Sequence, residues 1–212
     1  MDIVPKELMH LISFFQNIEG VGSKLGQKLS YSIILEPQKI DELVNILHQV
    51  RLKVGRCTIC GNIATKSENN KFICSICNQL NTRNSKQLMI VENVFSLLSF
   101  ESLGFYNGHY HIVGRLVHPT HNIDDLNFSL SSLVSRIIQS QYEEIIFGLS
   151  NSLEAELTIS LILKLLKDNK LDFKNVRIYK LASGIPSGVD IENVSNKSLL
   201  DSLRNKILID IK

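Results

Sequence analysis

No segment of this 212-residue chain approaches the roughly 18 continuous apolar residues that a membrane-spanning helix needs. The opening run, Met1-Asp2-Ile3-Val4-Pro5, lacks a basic stretch followed by an apolar core, so nothing there reads as a secretory signal. No membrane partner is expected, and the expected compartment is the cytoplasm. Cysteine is scarce too: the only four are Cys57, Cys60, Cys74 and Cys77. They form two Cys-x2-Cys hooks thirteen residues apart, the spacing of a closed tetrahedral zinc site. A reducing cytosol favours metal over the alternative of two disulfides. With sulfur in all four ligand places no open position is left for water, so the zinc ion is expected to be structural. A module this small cannot bury an adequate core unaided, and the metal would supply its folding free energy.

Acidic residues are nearly missing from residues 51–86. That stretch carries Arg51, Lys53, Arg56, Lys66, Lys71, Arg83 and Lys86 against Glu68 alone, a net +6, while residues 87–212 come to −2. A basic band beside a mildly acidic body suits contact with phosphates; a solvated module face is the plainer alternative. Also missing is any serine or cysteine placed with the histidines for nucleophilic catalysis. His109 and His111 are two apart and share a strand face, and His118 and His121 follow in a loop containing Pro119. Packed or solvent-facing histidines account for these better than a second metal site.

What is present begins with helical periodicity. Leu8, Leu11, Ile12 and Phe15 predict a first helix from about Pro5 to Asn17. Gly20-Val21-Gly22 follows, with a second helix opening at once. Such a turn presents backbone N–H groups at a helix N-terminus, an anion site. Lys24 and Lys28, four apart, can face one phosphate rail, and Ser23 is placed to cap the helix. An ordinary glycine turn between packed helices is the alternative. A third helix, Gln38 to about Arg51, carries Ile40, Leu43, Val44, Leu47 and Val50 on one stripe, expected to face a core.

Beyond the cysteines, short apolar runs alternate with helical patterns. Strands are expected at Leu88–Val91, Tyr110–Val113, Glu144–Phe147 and Val176–Tyr179, with helices from about Phe95, Ser129–Gln141 and Ser152–Asp168. This order argues for a mostly parallel sheet, whose ligands gather at the carboxyl ends of its strands. Glu92, Glu154 and Glu156 fall on that edge. They could hold Mg²⁺ through oxygen ligands; equally, Glu154 and Glu156 could merely favour their helix N-terminus. A Gly/Pro-rich tail, Leu181 to Glu192, precedes a helix near Lys197–Arg204 and the run Ile207–Ile211, either an edge strand or an arm on a neighbouring subunit.

Taken together, Gly20-Val-Gly-Ser-Lys24, the cysteine quartet, Gly108-His-Tyr-His111, Glu154-Ala-Glu156 and Gly184-Ile-Pro-Ser-Gly-Val-Asp190 resemble the bacterial recombination mediator family RecR over essentially the whole chain. The resemblance implies a multi-part α/β architecture. It comprises a helix-hairpin-helix domain at 1–53, a four-cysteine zinc finger at 54–86, a TOPRIM-like parallel-sheet domain at 87–182 and a C-terminal region at 183–212 as a possible oligomerisation arm.

It also implies a non-catalytic DNA-repair scaffold, nucleoid-associated, that binds single- and double-stranded DNA and acts with RecO and RecF to load RecA. A homo-tetramer or dimer ring is implied. DNA contact maps onto Gly20, Gly22, Lys24 and Lys28, zinc onto Cys57, Cys60, Cys74 and Cys77, and RecO contact onto Glu92, Glu154 and Glu156. A Mg²⁺-dependent TOPRIM nuclease or strand-transfer enzyme is the alternative. Glu19, Asn93, Arg115, Ala155 and Val189 depart from the family pattern, where proline, an acidic residue and three glycines are usual.

Overall fold

The computed structural model describes residues 4–79, 82–118, 127–181 and 188–209. Part of the tail motif, including Gly184 and Pro186, and His121 lie outside them. The chain separates into two compact units, Met1–Val54 and Gly55–Lys212.

The first unit is three helices: α1 (Lys6–Gln16), α2 (Ser23–Ile34) and α3 (Pro37–Lys53). Gly26 lets α2 lie close to α1, since a Cβ there would come within 2.7 Å of Gln16 Cγ. Pro37 opens α3, where its missing N–H costs nothing. The expected burial of the α3 stripe is not found. No residue of α3 is buried, and Val44 and Leu47 are 59% and 56% exposed. Periodicity puts apolar side chains on one face, but Leu8 is the only buried hydrophobic residue among the described residues of this unit. Three short helices do not enclose the stripe.

A two-stranded sheet follows, β1 (Val54–Arg56) and β2 (Ile63–Thr65), and then a single helical turn, α4 (Ser75–Asn78). The main sheet holds β3 (Asn84–Val91), β4 (Gly108–Ile112), β5 (Glu144–Gly148), β6 (Arg177–Lys180) and β7 (Ile207–Leu208), in the order β4-β3-β5-β6-β7. The first four run parallel, and β7 is antiparallel to β6, with Tyr179 opposite Leu208. Ile207–Leu208, the part of the terminal run within the described residues, is therefore an edge strand of the chain's own sheet.

Helices α5 (Val94–Ser102), α6 (Asn127–Gln139), α7 (Leu153–Asp168) and α8 (Asn196–Arg204) cover the two faces. Pleat alternation along β3 divides the core. Met89 and Val91 join Leu97, Phe100, Leu199, Leu203 and the four cysteines, whereas Leu88 and Ile90 join Leu133, Ile137, Ile159 and Ile162. The chain leaves β3 towards β4 and returns to the other side at β5. The crevice between the carboxyl ends of β3 and β5 is thus the topological switch point, where open α/β sheets place their ligands.

Candidate functional site

The four cysteines converge. Their sulfurs all lie within 4.8 Å of one another, and Cys60 Sγ stands 3.6 Å from Cys74 Sγ. Four sulfurs held about 2.3 Å from one centre would sit about 3.8 Å apart, so the quartet could hold one metal ion. Among the described residues it is the only group of three or more His, Cys, Asp or Glu side chains within ligating reach of each other.

Local backbone explains the convergence. Gly61 N–H donates to Cys57 O and Cys57 N–H to Asn62 O, closing a knuckle that Gly61 completes at φ +81°. On the second hook, Cys77 N–H donates to Cys74 Sγ at 3.4 Å. Such crowded thiols do not titrate alone. Hydrogen bonding to Cys60, Cys74 and Cys77 drives Cys57 down, and hydrogen bonding to Cys57 drives Cys60 and Cys77 up. Cys74, pushed up by Cys57 but pulled down by Cys60 and Cys77, lies at about 6. A cation bonded to all four relieves this competition by taking them as thiolates.

In the helical unit, Gly20 turns at φ +81°, and a Cβ at Gly20 or Gly22 would meet nothing within 4 Å. Gly22, not Ser23, is the N-cap of α2, and no side chain caps it. The helix begins one residue earlier than the capping assignment assumes. Ser23 Oγ instead accepts a hydrogen bond from Gln16 Nε2 at 3.2 Å. The first-turn N–H groups of α2 therefore have no side-chain acceptor, and Lys24 and Lys28 stand exposed on the same helix.

The basic band is less continuous than its composition. Arg51 and Lys53 fall in the first unit and the rest in the second. Arg83 is enclosed and paired with Glu101, and Lys86 meets Glu143 at 3.0 Å. Arg56, Lys66 and Lys71 remain exposed.

Glu92 follows β3 directly and lies in the switch-point crevice. Ser150, just past β5, donates to its Oε2 at 3.3 Å. Burial raises the Glu92 pKa against that hydrogen bond, and the charges of Asp190 and Glu192 raise it further. Glu192 is tied back to α5 by Ser96 Oγ at 3.4 Å. The structure thus groups Glu92 with Asp190 and Glu192 from the tail. Glu154 stands in the first turn of α7, and Glu156 is bound by Lys180 at 2.9 Å, so Glu92, Glu154 and Glu156 do not form a ligating trio.

Asn93, a departure from the family pattern, has a structural use: its side chain caps α5 by accepting from Ser96 N–H. His109 Nδ1 is 3.1 Å from Tyr142 OH, and His111 is buried. Sequence reasoning missed Ser150 and the placing of Asp190 and Glu192, because no local spacing signals a partner 58 or 96 residues away.

Fold and site define a class: a helical hairpin unit joined to a parallel-sheet α/β unit with a four-cysteine knuckle. No family model matches the chain. It is similar to proteins named Recombination protein RecR. That of Finegoldia magna is 31% identical over 207 residues, covering 97% of this chain and 98% of the relative. Those of Brachyspira hyodysenteriae and Lactobacillus helveticus are 30% and 29% identical, each over 95% of this chain. The chain belongs to the RecR family of recombination proteins. A solved primase of Aquifex aeolicus, comprising its zinc-binding and RNA polymerase domains, overlaps 64% of this chain and 28% of its own. Its identity is 14% and its TM-score 0.39, a loose likeness only.

Proposed function

We propose that this chain is a non-catalytic recombination mediator that binds DNA through its helical hairpin. It acts with RecO- and RecF-type proteins to load RecA on single-stranded DNA. The observation that carries the reading is the uncapped N-terminus of α2. Its N-cap, Gly22, has no side-chain cap, a Cβ at Gly20 or Gly22 would meet nothing within 4 Å, and Lys24 and Lys28 lie exposed on the same helix. Backbone amides and the helix dipole favour a phosphate there, and the lysines extend the contact along the strand.

The quartet holds one structural zinc ion. Thiolate sulfur and near-tetrahedral spacing suit zinc over oxygen-seeking Mg²⁺. The switch-point carboxylates Glu92, Asp190 and Glu192, with Glu154 on α7, suit a basic surface of a RecO-type partner. Glu156 is already neutralised by Lys180, which argues against two-metal strand cleavage, a reaction that needs closely grouped carboxylates. The exposed stripe of α3, Ile40, Val44, Leu47 and Val50, suits assembly into a ring of like chains.

The test is DNA affinity against salt for the wild type and Lys24→Ala/Lys28→Ala. Losing two phosphate contacts should flatten the slope of log K against log salt by about 1.4 on single strands and about 1.8 on duplex. An unchanged slope would remove the hairpin from the DNA site.

A further inference from the structure

We infer that Arg136 is a positioning residue for the metal centre, reaching it from the far side of the sheet. This rests on the reading of the cysteines as a zinc site. Strand β4 is an edge strand, and its inner side is taken by β3: Val113, just beyond it, donates its N–H to Val91 O at 2.9 Å. Neighbouring residues of a strand point their backbone groups oppositely, so Tyr110 and Ile112 turn theirs outward. Cys60 and Arg136 meet them there. Ile112 N–H donates to Cys60 O at 2.8 Å, and Arg136 Nη1 donates to Tyr110 O at 2.6 Å.

The same Nη1 also donates to Ile59 O at 3.2 Å. Ile59 lies inside the first hook, between Cys57 and Cys60. One guanidinium therefore ties the knuckle to the strand edge beside the backbone bond from Ile112 N–H to Cys60 O. Contact is close throughout: a Cβ on Gly61 would sit 3.3 Å from Ile112 O.

Arg136 belongs to α6, whose Leu133 and Ile137 pack on the opposite face from the cysteines. Its side chain links the two faces around the β4 edge. Its charge matters as well as its geometry. Four thiolates around Zn²⁺ leave a net charge of −2, and a half-buried cation on the knuckle backbone offsets it in a medium of low dielectric. Orienting groups of this kind typically change metal affinity by about 10–100-fold when removed.

The experiment compares zinc content and zinc affinity, by competition with a chromophoric chelator, in the full-length wild type, Arg136→Met, Arg136→Lys and Leu133→Ala. Leu133 is fully buried on the same helix and packs in the cluster that does not contain the cysteines, so Leu133→Ala reports simple destabilisation. Arg136→Met should bind zinc about 10–100-fold more weakly, with Arg136→Lys between it and the wild type. Leu133→Ala should melt earlier yet keep wild-type zinc affinity. Wild-type affinity in Arg136→Met, or an equal loss in Leu133→Ala, overturns the inference while leaving the zinc site standing. Should Arg136→Met not fold, Arg136→Lys against Leu133→Ala decides the matter by the same criterion. A wild-type chain that takes up no zinc removes both the zinc reading and this one.

Discussion

Removing Glu101 should cost more than removing Arg83, although Arg83 makes more bonds. Arg83 sits just before β3 with its side chain 6% exposed, and Glu101 on α5 is 32% exposed. The guanidinium donates twice to the Glu101 carboxylate, at 2.8 and 2.9 Å, and through Nε to Gly108 O at 2.8 Å. It also lies 5.5 Å from the Tyr110 ring centroid.

In Arg83→Met the cation is gone, the partly exposed carboxylate rehydrates, and an apolar chain fills the slot. The loss is about two charge-assisted bonds less the recovered desolvation, roughly 2 kcal/mol. In Glu101→Ala an enclosed cation stays behind. It cannot shed its proton, and among the described residues the carbonyls of Tyr106 and Gly108 and the Tyr110 ring face it. Stranding one member of a buried pair costs about 3–5 kcal/mol, and the exposure of Glu101 places this case near the lower end.

Melting should therefore fall by about 4–8 °C for Arg83→Met and by about 6–12 °C for Glu101→Ala, in a unit of this size. The double variant should resemble Arg83→Met, because removing the cation removes the penalty. Thermal and urea unfolding with zinc held in fixed excess measures all four corners of the cycle, since bound metal adds its own stabilisation. A coupling energy below about 0.5 kcal/mol, or Glu101→Ala milder than Arg83→Met, refutes the reasoning.

Two further outcomes are expected. Cys60→Ser should lower zinc content and loosen the knuckle, so that the Ile112 amide loses its protection from hydrogen exchange while the Val113 amide, bonded to Val91 O, keeps its own; equal protection at both would contradict the docking of the knuckle on β4. Glu92→Gln should raise the melting temperature at neutral pH. Burial and the charges of Asp190 and Glu192 raise the Glu92 pKa, so its contribution is fully present below the unfolded value of about 4.3 and is lost as the pH rises through the raised folded value. The stabilising effect of the glutamine should fade towards acid pH, and a variant less stable at neutral pH would reverse the assignment.

The parts of this molecule legible in the sequence are those whose signal is local. The hooks at Cys57–Cys60 and Cys74–Cys77, the glycine turn before α2 and the alternation of apolar runs with helices each declare themselves over a short stretch of chain, and each is found. The α3 stripe shows the limit of such reading. Periodicity tells which side chains share a face but not whether anything lies against it. Ser23 shows another limit, since moving a helix start by one residue turns a capping side chain into a bystander. Charge counting failed similarly at Arg83, which adds to a basic band on paper and is enclosed by Glu101 and Gly108 in the fold. The pairing of Glu156 with Lys180, 24 residues on, and of Ile59 with Arg136, 77 residues on, depends on topology that no spacing rule contains.

The sheet has two edges, and the chain treats them differently. An open edge is a row of unpaired donors and acceptors that invites another chain. On one side β7, within the described residues, is two residues long, Ile207–Leu208, a short edge to template. On the other, β4 is five residues long and parallel to its neighbour, and a strand of that length needs a cover. The cover is the cysteine knuckle, through Cys60 O on Ile112 N, with Arg136 on Tyr110 O. A metal in the quartet would thus fix an edge strand of the main sheet, and the four cysteines share one apolar cluster with Met89, Val91 and Ile112. The hairpin unit, Met1–Val54, contains none of the four sulfurs. Losing the metal should therefore act first on the sheet, through self-association at β4, with Lys24 and Lys28 left in place on α2.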